Sequence, residues 1–428
     1  MTAEIAVMNE EAIALAADSA VTGPAKIFTS ANKIFALSKY HPVALMVFDN
    51  ARFHGVPWET VVKQYRRELG DKCFKTLEDH AKDFLRYFNS DAALFPADAQ
   101  DQGVAVFAHA LYFGIRDEAF KVVENRWLAK GDKPSGEEVV AIFEARIASN
   151  HERWKDAKRR TGLPKNYQET VRRKYADLAA LTIEAAFEKV PISTKATRQL
   201  RQLLPWAAVK NLRVEPLSTH SGIVIAGFGS EDVFPRLRRF DFECIIANHL
   251  KCVEGDRTDV GPHEPGVIVP FAQREPVDTF MEGIAPSIRS YLLRWWRGKL
   301  GQLVDEIAEH LQLAEKDQAE LVETFRERCL EIVRDEHQND LMKFADQTKI
   351  QPIINVVGML PKDELAEMAE SLVNLTSFER RVTPEAETVG GPIDVAVISR
   401  GDGFIWIKRK HYFDTELNPH FLKNYYRD

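Results

Sequence analysis

The sequence has few cysteines, no long apolar run and no large excess of either charge. Four cysteines, at 73, 244, 252 and 329, are spread over 428 residues, which is typical of reduced thiols and unlike a disulfide framework. The longest apolar stretch covers residues 103–115 and is too short to cross a bilayer. Basic residues number 57 and acidic residues 64, a net charge of −7, so the overall charge does not favour nucleic acid as a partner.

The N-terminus lacks the basic segment of a secretory signal peptide. Glu4, Glu10 and Glu11 all precede the first cation, Lys26, whereas a signal peptide begins with positive charge. We therefore expect a cytoplasmic protein with no membrane partner.

The apolar pattern predicts strands at both ends of the chain and helices between them. β-prone runs at 2–8 and 11–18 are separated by a short turn, as in a hairpin. Pro57 precedes a helical pattern that ends at Gly70. Further strand signals lie at 33–37, 42–48, 221–228, 240–246 and around the turn 401–403. Helical patterns predominate at 72–214, 276–344 and 362–375. Within the first of these, Ser135 and Glu138 have the spacing of a capping box. This order predicts an α+β protein whose sheet strands come from distant parts of the sequence.

The second residue has the chemistry of an N-terminal nucleophile. Thr2 directly follows Met1, and a small residue there permits removal of the initiator methionine. The freed α-amine would lie beside the threonine hydroxyl and act as its base, since an α-amine has a pKa of about 7.7–8.0. A nearby lysine would help to keep that amine neutral.

Several segments resemble proteasome β-type subunits and their simpler bacterial peptidase relatives. The opening of that family resembles TAEIAVMNEEAIALAADSAVT, NKIFAL and FHGVPWETVVKQYR, and its closing Gly-Gly hairpin resembles TVGGPIDVAVISRGDGFIWIKRK. The resemblance implies that Thr2 is the nucleophile, Lys33 the lysine that tunes the amine, and Asp18 the carboxylate that anchors the lysine. A structural ion pair of Asp18 and Lys33 without catalysis is the alternative interpretation.

The resemblance also implies accessory groups. Backbone N–H groups of Asp49 and Asn50 would stabilise the oxyanion of an acyl-transfer reaction. Ser19 and Glu387 are the candidates for auxiliary site residues, although the Asp and Ser that the family has before its Gly-Gly are not matched and Val389 occupies the position of that Ser. No metal and no cofactor is implied.

The fold that the resemblance implies is a four-layer αββα sandwich of the N-terminal nucleophile (Ntn) hydrolase type with long helical insertions. The expected divisions are core segments at 1–85, 218–285 and 361–412, helical insertions at 86–217 and 286–360, and a tail at 413–428.

The function implied is that of a threonine peptidase that hydrolyses peptide bonds. The expected partners are a peptide or unfolded protein substrate, other copies of the chain in a ring, and an ATP-dependent unfoldase. Two alternatives stay open: a catalytically inactive scaffold or binding protein, which the unmatched auxiliary residues favour, and an Ntn amidohydrolase that acts on a small amide.

Three other patterns have structural interpretations. Cys244, His249, Cys252 and His263 have no standard zinc spacing, so we expect core thiols and surface histidines. Residues 146–174 carry a net charge of +7 and residues 301–340 of −8, which predicts solvated or mutually paired helix faces rather than a nucleic-acid site. The apolar cluster Tyr291, Leu292, Leu293, Trp295 and Trp296 predicts a buried helix face, with an assembly contact as the alternative.

Overall fold

The computed structural model describes residues 3–22, 27–89, 94–215, 220–310, 315–332, 338–383, 389–420 and 423. In these residues the chain is a mixture of helices and antiparallel strands. It divides into two compact units: the first comprises Met1–Ser30, Val260–Val397 and Ile405–Asp428, and the second Ala31–Asp259 and Ile398–Phe404. Among the described helices, none is long and apolar enough to span a membrane.

The secondary structure follows the predicted order of strands, helices and strands. The strands are β1 Ala3–Asn9, β2 Ala12–Ala17, β3 Val21–Thr22, β4 Ile27–Phe28, β5 Ile34–Ala36, β6 Val43–Asp49, β7 Arg52–Phe53, β8 Val56–Pro57, β9 Ser221–Gly227, β10 Arg236–Ile246, β11 His249–Asp259, β12 Gly266–Ala272, β13 Asp394–Ser399 and β14 Gly403–Lys408. The helices are α1 Trp58–Leu69, α2 Leu77–Tyr87, α3 Ala97–Lys130, α4 Gly136–Asp156, α5 Tyr167–Lys174, α6 Ala176–Phe187, α7 Thr194–Val209, α8 Glu275–Glu282, α9 Pro286–His310, α10 Glu315–Glu331, α11 Gln338–Ala345, α12 Gln351–Val357 and α13 Lys362–Val382, with a π-helical turn at Asp346–Ile350.

The first sheet has the strand order β12-β1-β2-β13-β14. The predicted hairpin is confirmed: Glu4 pairs with Ala17 and Met8 with Ile13, and Asn9 Oδ1 accepts the N–H groups that follow it in the turn. Alternate apolar residues of β1 and β2 form one buried cluster with α13, and those of β2 are all alanine: Ala12, Ala14 and Ala16. Alanine at these positions leaves room for the helix to pack closely on the sheet.

The second sheet has the order β11-β10-β9-β6-β5. Helix α1 was predicted from the residues after Pro57 and is confirmed, since it begins at Trp58 and its C-cap is Gly70. Its Trp58 ring lies 5.4 Å from the ring of Phe242 on β10, edge to face. The apolar faces of α1 and α2 thus share one core with this sheet.

Helices α3 to α7 form a second core within the same unit. The predicted capping box at the start of α4 is confirmed: Ser135 Oγ accepts the N–H of Glu138, and Glu138 accepts the N–H of Ser135. The predominance of helix over 72–214 is likewise confirmed by α2 to α7.

Two expectations were wrong or incomplete. The aromatic cluster of α9 is not a buried face, because Tyr291 is 58% exposed, Trp295 43% and Trp296 42%. Strands β11 and β12 were not predicted. The residues of β11 are mostly polar and partly exposed, and Pro270 interrupts the apolar run of β12. Both are edge strands, so only one neighbouring strand constrains the composition of each.

Candidate active site

The carboxylate of Asp18 lies at the end of β2 and is almost fully buried, with 1% exposure. Its Oδ1 accepts the backbone N–H of Ala3 at 3.0 Å. Its Oδ2 accepts the N–H groups of Gly390 at 2.9 Å and Ala20 at 3.2 Å. Three backbone donors therefore hold this side chain next to the first described residue of β1, and none of them is left unsatisfied in the interior.

Ser19, the residue after Asp18, makes hydrogen bonds to the segment that precedes β13. The N–H of Ser19 donates to the carbonyl of Gly390 at 3.2 Å, and its hydroxyl donates to the carbonyl of Pro392. Gly391 between them has a φ of +78°, and a Cβ there would lie 2.8 Å from that of Thr29. A glycine is required at this position because any side chain would be strained and crowded.

Two predicted site residues, Thr2 and Glu387, lie outside the described residues. The sequence joins Thr2 directly to Ala3, whose N–H is held by Asp18. Val389, at the position where the resemblance expects a serine, is 1% exposed and belongs to the apolar core beneath α13. That core gives Val389 a packing role.

Lys33 belongs to the second unit and precedes β5. It is 4% exposed, and its carbonyl accepts the N–H of Val47 at 2.8 Å. The register of β5 on β6, in which Ile34 faces Met46, thus places Lys33 beside the last residues of β6. Within this unit, the lysine and the predicted oxyanion turn come from neighbouring strand ends.

The predicted oxyanion turn follows β6 and has a constrained backbone. Asp49 has a φ of +65°, which is uncommon for a residue with a side chain. Asn50 Oδ1 accepts the N–H of Arg52 at 2.9 Å, and the Asn50 carbonyl accepts the hydroxyl of Ser221 at 3.0 Å. The turn is therefore held by one hydrogen bond within the turn and by another from Ser221 of β9.

A glycine on β9 makes room for the residue before this turn. The ring of Phe48 would lie 1.9 Å from a Cβ added to Gly222, so the ring occupies the space that a side chain there would need. On the same ring, the guanidinium of Arg239 lies 5.2 Å from the centroid, a cation–π distance.

A charged network also holds the turn. His220 Nε2 lies 3.4 Å from Asp49 Oδ2 and 3.5 Å from Asp241 Oδ1. Asp241 in turn binds Arg213 at 2.9 Å and Arg239 at 3.1 Å. Burial by itself would raise the pKa of Asp241, but the polar contact with His220 and the two guanidinium charges outweigh it and lower the pKa to about 2. The network therefore keeps a buried anion beneath the turn at neutral pH.

A cavity of about 290 Å³ opens beside the turn in the same unit. Its polar lining includes Asn50, Arg52, His54 and Glu243. His54 is fixed there: Nδ1 lies 2.9 Å from the carbonyl of Ala99 and Nε2 accepts the N–H of Ile245 at 2.8 Å. Burial lowers the pKa of His54. The volume is near the lower limit of ligand pockets, which is about 300 Å³.

The sequence matches no protein-family model, and no curated protein is similar to it. Among solved structures, Anbu (ancestral beta-subunit) from Yersinia bercovieri is similar, with 10% sequence identity and a TM-score of 0.29 over 99% of this chain and 94% of that chain. A likeness at this level carries no information about activity. The chemistry of the site therefore has to be inferred from the chain's own residues.

The cysteine and histidine cluster considered as a metal site has no such geometry. In the parts of the chain that the structure describes, no three His, Cys, Asp or Glu side chains lie close enough to hold a metal ion. Cys244 is fully buried, and burial raises the pKa of its thiol well above the usual value. Its position is that of a core residue.

Sequence reasoning missed the network of His220, Asp241, Arg213 and Arg239. One signal was present: Asp241 stands between two phenylalanines in a strand pattern. An acidic residue between large apolar residues indicates either a turn or a buried carboxylate with dedicated partners. Its partners come from β10 and the segment before β9, and no local pattern identifies them.

Proposed function

We propose that the chain is a threonine-type N-terminal nucleophile hydrolase that cleaves peptide bonds. The observation that carries the proposal is the buried carboxylate of Asp18, which holds the N–H of Ala3, the residue bonded to Thr2. A buried carboxylate at this place is what a nucleophile at residue 2 needs to anchor a cation beside its amine. Lys33, itself almost fully buried, is the cation that we assign to it.

The proposed reaction begins with removal of Met1. The α-amine of Thr2 accepts the hydroxyl proton as Oγ attacks the substrate carbonyl, and the oxyanion accepts N–H groups from the turn at Asp49 and Asn50. The tetrahedral intermediate then expels the leaving amine, which takes the proton from the α-ammonium. Water then gives a proton to the same amine as it attacks the acyl carbonyl, and Thr2 Oγ leaves as it takes that proton back. The cycle regenerates the amine and the hydroxyl, so the proposed reaction needs no cofactor.

The contributions of these groups have expected sizes. A positioned general base contributes about 10²–10⁴-fold, and one oxyanion donor about 10²–10³-fold. The positive φ of Asp49 and the network beneath it restrict the direction of the turn's N–H groups. Such preorganisation is what oxyanion stabilisation requires. The four-layer sandwich, the homo-oligomeric ring and the ATP-dependent unfoldase remain predictions that belong to this proposal.

Covalent labelling tests the proposal. The purified chain is treated with a threonine-directed electrophile, and the intact mass and the modified residue are measured. We expect loss of Met1 and one label on Thr2, none in Thr2→Ala, and full labelling in the control Thr194→Ala, whose change lies at the start of α7. Label on another residue, or no label on a chain that begins with Thr2, would contradict the proposal.

A second function is favoured by one observation. Val389 is packed in the core where the resemblance expects an auxiliary serine, which favours an inactive scaffold or binding protein. In that case Met1 is retained, or Thr2 is exposed and unreactive, and the Asp18 cluster has only a structural role. The amidohydrolase alternative differs in substrate alone: turnover of a small amide but of no member of a peptide library, abolished in Thr2→Ala, would identify it.

A further inference from the structure

Helix α9 presents a long apolar stripe to solvent. Its members recur at helical spacing on one side of the helix, so they form a continuous surface. We call the following residues the α9 stripe: Ile288, Tyr291, Leu292, Trp295, Trp296, Leu303 and Ile307. Each is between 37% and 58% exposed, which is unusual for so many large apolar side chains on one helix.

The other side of α9 is anchored within its own unit. Val304 and Ala308 are buried, and Arg326 of α10 binds Asp305 at 2.7 Å. The helix therefore already has a packed face, and the α9 stripe is a second face. An amphipathic helix needs only one buried face to be stable in a monomer, so the stripe calls for another explanation.

The size of the stripe fits an interface. Its side chains have roughly 150–250 Å² each, and about half of that exposed gives roughly 600 Å² of apolar surface. This is at the upper end of about 300–600 Å² for the largest patch of a monomer. The four members from Trp295 onward account for about half of this area, so two α9 helices alone would bury less than about 1,200 Å², the size range of a weak or transient interface.

Two charged residues within the stripe indicate what covers it. Lys299 follows Trp295 by one turn and Leu303 follows Lys299 by one turn, and Glu306 lies seven residues beyond Lys299 on the same face. Both are exposed. In an antiparallel pair of α9 helices whose two-fold axis passes between residues 302 and 303, Lys299 of each copy faces Glu306 of the other. A parallel pair would oppose like charges at both positions.

We propose that a second copy of this chain covers the α9 stripe, with the two α9 helices antiparallel about a two-fold axis. The contact is isologous, and the Lys299–Glu306 pairs fix its register. In that register the two helices overlap from residue 295 to residue 310, so Trp295, Trp296, Leu303 and Ile307 of each copy supply the apolar contact. An anionic lipid surface fits the stripe less well, because Glu306 would face the lipid charge.

Analytical ultracentrifugation of the full chain tests the proposal. Leu303→Glu places a charge at the centre of the contact, and because Leu303 is half exposed the fold should be retained, as circular dichroism will show. We expect the dissociation constant to rise at least about 30-fold, as for loss of an interface hot spot, and the sedimenting mass to halve even if other interfaces exist. The control Leu181→Glu, at an exposed position of α6, should leave the mass unchanged.

Charge exchange tests the orientation. Lys299→Glu and Glu306→Lys should each weaken the assembly, and the double variant should restore it, since antiparallel copies then regain both pairs. A parallel contact would not be restored. A wild-type chain that is monomeric throughout the micromolar range, or unchanged mass in Leu303→Glu, overturns the proposal. So does co-sedimentation with phosphatidylserine vesicles that Leu303→Glu abolishes without any change in mass, because the occupant would then be a lipid surface.

Discussion

The buried carboxylate of Asp18 allows the structural and catalytic effects of one substitution to be separated. Asp18→Asn keeps the shape of the side chain but replaces one acceptor oxygen with an amide donor. The amide oxygen can still face the two N–H groups of Gly390 and Ala20. The amide nitrogen then faces the N–H of Ala3, so that donor loses its acceptor and the new amide N–H opposes it.

The magnitude follows from that count. An unsatisfied buried N–H costs about 1–3 kcal/mol, and we expect the free energy of unfolding of Asp18→Asn to fall by at least that amount. A folded domain has about 5–15 kcal/mol of stability, so the variant should still fold. If Asp18 also anchors the cation beside the Thr2 amine, its loss should lower kcat/KM by at least about 10²-fold, the usual contribution of a tuned general base.

The control is a second buried aspartate of the same sheet. Asp394 on β13 is 2% exposed; it accepts the N–H of Lys410 at 2.8 Å and pairs with its ammonium. Asp394→Asn should lower stability comparably, since a charged hydrogen bond contributes about 1.5–3 kcal/mol, and should leave turnover per folded molecule unchanged. Urea unfolding gives the stability, and initial rates on a fluorogenic peptide library give kcat/KM. Equal kcat/KM in Asp18→Asn and Asp394→Asn would refute the catalytic assignment of Asp18.

Three further predictions concern stability. Burial lowers the pKa of His80 to about 4, so as pH falls below about 6.5 this histidine takes up a proton in the unfolded chain before it does so in the folded one. The free energy of unfolding should therefore decrease from pH 7 towards pH 4 by up to about 3 kcal/mol. Urea unfolding of His80→Phe should lack that part of the pH dependence. Gly391→Ala, at a φ of +78°, should cost about 1–3 kcal/mol, whereas Gly401→Ala, with open space around it, should cost less than half of that in the same assay. Lys251→Met leaves Glu243, its partner at 3.1 Å, buried without its salt-bridge partner. Thermal unfolding should show a loss of about 3–5 kcal/mol, and a loss below about 1 kcal/mol would show that the pair is hydrated.

The sequence predicted the features that local interactions decide. The turn at Asn9 and the capping box at Ser135 depend on residues two or three positions apart, and both are confirmed. The acidic residue that ends β2 was identified, but not its bond to Gly390, which is 372 positions away. Backbone donors of distant segments have no sequence signature, because every residue except proline carries the same N–H group.

The aromatic residues of α9 show a second limit on what the sequence predicts, which concerns what buries an apolar helix face. Apolar residues at helical spacing predict that a face is buried, but they do not say whether the chain itself or a partner buries it. The same pattern gave a correct prediction for α1, whose Trp58 packs in its own sheet's core, and a wrong one for Trp295 and Trp296. Composition could have helped, since Lys299 and Glu306 interrupt the stripe and a core face rarely carries two charges.

The two proposals depend on different parts of the chain, and this makes them separately testable. The three donors that hold Asp18 come from β1, the residues after β2 and the segment before β13. The network under Asp49 comes from β10 and the residues before β9. None of these contacts involves α9. If Leu303→Glu halves the assembly and also abolishes turnover, while Thr2 still reacts with the electrophile, then association must act on substrate access rather than on the nucleophile. If Thr2 loses its reactivity as well, assembly must order the N-terminal site itself.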